Sequence, residues 1–204
     1  CAFLGCDFVL YLGDNFYSNG VSAIDDPQFQ TKFEMPYESV DLPFQVVLGN
    51  HDYGGYGVVS NEWWKGPIEV QYSQINPKWR LPSEWYSFES QHVAFFALDT
   101  NAIVWDHTAT EQAQWIDAEF AGSTRPWRIG FGHHPYRSNG KHGNAGSYDG
   151  FPSWLPDPTH ARGDTFRDFF TDHLCGDLDV YFAGHDHNRQ WLSTDCGTLH
   201  VVSG

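Results

Sequence analysis

Short apolar runs of β type recur at Asp7–Leu12, Phe44–Leu48, Val93–Leu98, Arg128–Phe131 and Leu178–Ala183. Each is too short for a typical helix and is closed by Gly or Asp, so each predicts a buried strand. Between them the pattern shifts to helical spacing. Asp26-Pro27 reads as N-cap and first helical position of a helix reaching about Phe33. Thr108 and Glu111 form a capping-box signature for a helix over Thr110–Ala121, with Ala113, Ile116 and Phe120 on one face. Asp164 is placed to cap a third helix, with Phe166, Phe169 and Phe170 on one face and His173-Leu174 near its end. The stretches Tyr53–Ser90 and Arg137–Pro158 lack periodicity and read as long loops over a sheet edge, where pockets are shaped. Strands alternating with helices predict a layered α/β fold in a single domain covering 1–204, with no internal repeat or linker.

Four of the strands run directly into polar clusters: Gly13-Asp14-Asn15-Phe16-Tyr17, Gly49-Asn50-His51-Asp52, Gly132-His133-His134-Pro135 and Gly184-His185-Asp186-His187. Glycine after a buried strand lets the chain turn sharply, and the next polar side chain leaves from the strand's C-terminal end. In α/β sheets ligands gather at that edge. Together the clusters supply Asp, Tyr, Asn and His, an oxygen and nitrogen donor set suited to a pair of transition-metal ions. Asp14 can bridge two cations with its two oxygens. Tyr17 as phenolate favours a trivalent ion, and Asn50 offers a neutral carbonyl oxygen. His185 and His187, two residues apart just past the strand's end, can both reach adjacent ions.

Composition narrows the partners. The net charge of −15 argues against nucleic acid and against anionic membranes. A small phosphorylated substrate therefore needs local cations to hold it. No apolar run approaches the ~20 residues of a membrane span. The sequence begins at Cys1 without a basic-then-apolar leader, which is expected of a processed or truncated N-terminus. The four cysteines show no C-x-x-C spacing. Cys175 and Cys196 flank a predicted hairpin, where they are either a disulfide or two buried thiols; Cys1 and Cys6 can pair only if no regular helix lies between them. A disulfide implies a secreted, periplasmic or other oxidising compartment.

Taken in order, the four clusters resemble successive signature blocks of the calcineurin-like metallophosphoesterases. The position of Tyr17 resembles the purple acid phosphatases, and Gly184–Asn188 is most similar to the small, tartrate-resistant type. The resemblance extends to Asp99-Thr100 and to Val202-Ser203-Gly204. It implies mixed β-sheets sandwiched by helices, a metal site at the C-terminal ends of strands, and hydrolysis of phosphate monoesters. Carried over, Asp14 bridges both ions; Tyr17 and His187 bind a first, Fe3+ site; Asn50, His133 and His185 bind a second, divalent site (Fe2+, Zn2+ or Mn2+). His51 matches a histidine that contacts phosphate or protonates the leaving group, and His142 matches a further histidine outside the ligand set. His134 matches no ligand. His92, His107, His160, His173 and His200 match no motif and are expected to be structural or exposed.

One element of the resemblance is missing. The family opens with a strand followed by Asp-x-Gly, whose Asp completes the first metal site. No Asp-x-Gly precedes Gly13, and Asp7 lies at the start of the wrong strand. The expectation is that a native N-terminal strand bearing this motif is absent from the sequence. Losing the strand and the ligand outright would leave a binding or scaffold protein on the same fold. A phosphodiesterase or nucleotide hydrolase of the superfamily is a further alternative, against which Tyr17 argues.

Overall fold

The apolar runs pair into two sheets, each with its strand ends aimed at the same edge. The computed structural model describes residues 5–54, 62–150, 154, 156, 160–193 and 196–204. The first sheet is parallel, in the order β1 (Val9–Leu12), β2 (Phe44–Val47) and β3 (Trp79–Arg80). The second has six strands: β4 (Tyr86–Ser90), β5 (Val93–Ala97), β6 (Trp127–Gly132), β7 (Val180–Ala183), β8 (Arg189–Leu192) and β9 (Leu199–Ser203), in the order β4-β5-β6-β7-β9-β8. Strands β5, β6, β7 and β9 are parallel; β4 and β8 close the edges antiparallel.

Period-two alternation on the second sheet divides its side chains between two cores. Ala94, Phe96, Tyr181 and Ala183 face a cluster built with α2 (Thr100–Val104), α3 (Ala109–Gly122) and α4 (Asp164–His173). Phe95, Ala97 and Phe131 instead join a cluster with the first sheet. Outside the first sheet lie a π-helical segment, Phe29–Glu34, and α1 (Gly66–Tyr72). The result is mixed sheets sandwiched by helices, as expected. Among the described residues no helix is long and apolar enough to cross a membrane.

Several local expectations give way to tertiary packing. The first helix closes in π form, Met35 N bonding Gln30 O at 2.9 Å, and buries Phe29 and Phe33. Its start is set by Gln28; Asp26 accepts the Gln28 amide at 3.0 Å. The capping box does not form. Thr108 is the N-cap of α3 but makes no side-chain cap bond, because its hydroxyl accepts from buried Gln112 at 2.8 Å. Gly163, in the left-handed conformation, is the N-cap of α4. Asp164 sits one position inside, held by Arg162 and by Arg167 at 2.6 Å. Tyr53–Ser90 is not one loop but carries α1, β3 and β4, organised around fully buried Trp79. Within Arg137–Pro158 the described part holds a short 3-10 turn at Tyr148–Gly150; residues 151–153, 155, 157 and 158 lie outside the described residues.

Cys175 and Cys196 form a disulfide, with Cα atoms 5.3 Å apart. Cys1, and with it the Cys1–Cys6 pairing, lies outside the described residues. Because the Cys175–Cys196 bridge closes a 21-residue separation, replacing both cysteines with serine is expected to cost about 3 kcal/mol. Urea unfolding under non-reducing conditions, parent against double variant, reads this directly; a midpoint unchanged at equal slope would refute it.

Candidate metal centre

The C-terminal ends of β1, β2, β6 and β7 meet, and the turns after them bring six donor side chains within hydrogen-bonding distance in one chain of contacts. The approach is so close that the turns require glycine. A Cβ on Gly13, where φ is +84°, would lie 2.7 Å from His133 Nδ1, and one on Gly49 would collide with the Asp14 amide and carboxylate. Asp14 and His185 themselves sit at positive φ, 55° and 65°. Such backbone is unfavourable for residues bearing a Cβ and clusters at functional sites.

One half of the cluster gathers at His133. Its Nδ1 lies 2.9 Å from the Leu12 carbonyl, which can only accept, so Nδ1 carries the proton. Nε2 therefore presents a lone pair. Facing it are Asn50 Oδ1 at 3.1 Å, His185 Nδ1 at 3.0 Å and Asp14 Oδ1 at 3.2 Å. These electron-rich atoms converge on one point, which is stable only with a proton or a cation among them. The other half gathers at the second oxygen of Asp14: Tyr17 donates to Oδ2 at 2.8 Å, and its hydroxyl is 3.3 Å from His187 Nε2. Asp14 thus links two donor groups through separate oxygens. The donor set fits two transition-metal ions, one per group.

Electrostatics agree with this arrangement. Burial alone would raise the Asp14 carboxyl, but neighbouring His133 and the His51 amide hold it well below the usual range. Burial lowers the His133 imidazole, yet Asp14 outweighs it and the net shift is upward. For His134 and His185, burial and then the neighbouring histidines hold both rings neutral, with lone pairs available. Tyr17 is raised, first by burial and then by the Asp14 charge, so ionising it requires a strong cation against its oxygen.

Around this core, His51 donates its amide to Asp14 Oδ1 at 3.0 Å and points Nδ1 at the Ser18 carbonyl, 2.6 Å away. Its ring lies 4.3 Å from that of Tyr17. The His142 ring is 4.7 Å from His185 and 5.9 Å from His187, centroid to centroid. His134 is buried beside the site, its ring nitrogens within reach of those of His133 and His185, and its Nδ1 bonds the Thr100 hydroxyl. His173 pairs with Asp117, His107 stacks on Trp63, and His200 is buried against Tyr136 and Phe170.

Sequence reasoning missed the groups that hold the turns in place. Thr100 Oγ1 accepts the amides of His133 and His134. Asp52 accepts the amides of Phe16 and Gly49, tying the first two clusters together. Asn15 donates to Asp52 at 3.0 Å and to Glu69 of α1 at 3.2 Å. Asn15 and Asp52 stand inside the motifs, which was the available signal; Glu69 lies in an aperiodic stretch and gave none.

Asp52 and Glu69 are fully buried and both accept from the side-chain amide of Asn15, so charge on one disfavours charge on the other and Glu69 keeps its proton. Burial first, and the Asp52 charge second, push Glu69 well above its ordinary value. Below about pH 4.5 the unfolded chain also holds this proton, and the shift costs nothing. As pH rises further the unfolded carboxyl ionises while the folded one does not, and stability falls by about 1.4 kcal/mol per pH unit. Glu69→Gln is therefore expected to match the parent near pH 4 and to melt increasingly higher than it towards pH 8. A stability gap that does not change with pH would contradict this.

The sequence profile of calcineurin-like phosphoesterases matches residues 2–189. This chain belongs to that family. Among its curated relatives, tartrate-resistant acid phosphatase type 5 of Homo sapiens is 30% identical over 98% of this chain and 61% of its own length; the Sus scrofa protein is 31% identical over 98% and 58%. Purple acid phosphatase 7 of Arabidopsis thaliana is 29% identical over 98% and 60%. The chain thus spans about three fifths of these relatives. Among solved structures, the calcineurin-like fold seen here is similar to GAP50, the anchor in the inner membrane complex of Plasmodium, with TM-score 0.66 at 21% identity over 97% of this chain and 61% of that one. It is also similar to the purple acid phosphatase PPD1 of yellow lupin, TM-score 0.58 at 21% identity over 97% and 36%.

Proposed function

We propose that this calcineurin-like phosphoesterase hydrolyses phosphate monoesters at a dinuclear metal centre, as an acid phosphatase. The observation that carries the reading is the pair of donor groups joined by the two oxygens of Asp14. In this reading Asp14 bridges, Tyr17 and His187 hold a ferric ion, and Asn50, His133 and His185 hold Fe2+, Zn2+ or Mn2+. Bound ions supply Lewis acidity towards the phosphoryl oxygens and the attacking water. The chain's own residues do the rest. Burial and the neighbouring histidines hold His185 neutral with its lone pair inward, and the Leu12 carbonyl fixes Nδ1–H on His133 so that Nε2 faces the other donors. His51 and His142 each set Nδ1 against an oxygen, which orients the ring; in this reading Nε2 would hydrogen-bond the phosphate and hand a proton to the leaving oxygen. An oxidising compartment suits the Cys175–Cys196 bridge.

The ferric side has one carboxylate, Asp14; Asp7 lies at the far end of β1, about 20 Å of strand away. β1 pairs with β2, and among the described residues no strand pairs with its other edge. A groove of about 260 Å3 runs along that edge to the site, lined by Leu10, Leu12, Asp14, His187 and Gly204. A further strand would fit along that edge, and a carboxylate at its end would complete the first site. A non-catalytic scaffold on this fold is the second reading, and the same shortage of carboxylates favours it.

Metal analysis and a visible spectrum of the full-length protein separate the two. The enzyme reading expects two ions per chain and a violet phenolate-to-iron absorption that Tyr17→Phe abolishes. A fully metallated, colourless protein would point to a phosphodiesterase of the family, and a protein binding no ions would establish the scaffold.

A further inference from the structure

The loop carrying His142 is held in an unusual way. The His142 amide donates to Asp186 Oδ1 at 2.7 Å, anchoring the residue to buried Asp186 between His185 and His187. Seven residues on, Asp149 returns to the same point. Its amide donates to the His142 carbonyl at 2.8 Å, and its Oδ1 lies 2.7 Å from His142 Nδ1. Asp149 occupies φ 54°, ψ 24°, left-handed backbone that glycine adopts without cost and aspartate does not. Its side chain is 70% exposed and that of His142 28%, and an ion pair so open to water contributes little to folding. An unfavourable backbone carrying a carboxylate that adds little stability points to a task for the carboxylate itself.

We propose that Asp149 is a positioning residue for His142. Its oxygen accepts the Nδ1 proton, which fixes the tautomer and aims Nε2 over the rings of His185 and His187. This is the orienting partner that a general acid needs to transfer its proton along one line. The inference rests on the reading of His142 as the acid that protonates the leaving oxygen. In that step the Nε2–H bond breaks as the O–H bond of the departing alcohol forms, and Nδ1–H stays with His142, hydrogen-bonded to Asp149.

The test uses the full-length, metal-loaded protein with two esters. An alkyl phosphate needs a proton on its leaving oxygen, and 2,4-dinitrophenyl phosphate does not. Asp149→Gly suits the left-handed backbone, so the loop keeps its shape. It is expected to lower kcat for the alkyl ester about 10-fold or more and to leave the dinitrophenyl ester within about 2-fold, with metal content unchanged. His142→Ala should show the same selectivity more strongly, and the double variant should match His142→Ala. Equal losses on both esters would reveal a merely structural contact and overturn the proposal. Selective loss in His142→Ala alone would overturn it while leaving the acid assignment standing; no selective loss in either variant would remove both. A readout independent of turnover is the ring 15N spectrum of the zinc-loaded protein. At a pH where the ring is neutral, it should report protonated Nδ1 at His142 in the parent and a mixture of tautomers in Asp149→Gly; a neutral ring in the parent that carries its proton on Nε2 with Nδ1 bare would overturn the proposal irrespective of turnover.

Discussion

Replacing His185 with alanine is expected to empty the Asn50–His133 donor group of its ion and to lower turnover by about 10³-fold or more, equivalent to ~4 kcal/mol of transition-state stabilisation. The reason is geometric. His185 Nδ1 is 3.0 Å from His133 Nε2, so its removal takes away one of the few atoms that define this donor group. Histidine and alanine meet the same restriction at the positive φ of residue 185, so the backbone is not newly strained. The outcome is read by metal content per chain and by kcat on the same preparation. A variant that keeps two ions and parental turnover would refute the assignment of this cluster.

The largest expected effect on stability lies outside the motifs. Trp79 is fully buried in β3 and meets Phe33 at 4.8 Å, Phe16 at 5.7 Å and Phe29 at 6.0 Å between ring centroids. Its indole N–H donates to the Glu69 carbonyl at 3.1 Å. Trp79→Ala is expected to cost about 3–5 kcal/mol, the range for deleting a large buried aromatic. Phe16 belongs to the same turn as Asp14 and Tyr17 and stacks on this indole. The variant should therefore also hold its ions more weakly, even at temperatures where it remains folded. Denaturant melts with and without a chelator measure both effects; a loss below about 1 kcal/mol would show that the site repacks.

Strands were the most legible part of the sequence, because a short apolar run ending in glycine is too brief for a helix and too apolar for a surface loop. Their register could not be read, since no local signal says that β4 follows β3 into a different sheet. Helix positions were legible from Ile116, Phe120 and Phe166, but helix starts were not. Caps depend on which hydroxyl is free, and buried Gln112 claims that of Thr108. The segment after Tyr53 looked irregular because Trp79 and Phe16 order it from a distance rather than through periodicity. At the site, the side chains named from the motifs converge, since motif residues sit where strand ends force them. The supporting shell was largely invisible. Glu69 and Asp149 act across 54 and seven residues respectively, and nothing in their immediate neighbours marks them.

The donors do not all come from one sheet. Asp14, Tyr17 and Asn50 follow strands of the three-stranded sheet, while His133, His185 and His187 follow strands of the six-stranded one. Ions bound there would act as rivets through the seam between two layers that otherwise meet through apolar contacts and a few hydrogen bonds, such as those of His133 to the Leu12 carbonyl and Tyr86 to the Val46 carbonyl. Loading the centre would then stabilise the whole sandwich against unfolding, because the site exists only where the two layers are joined.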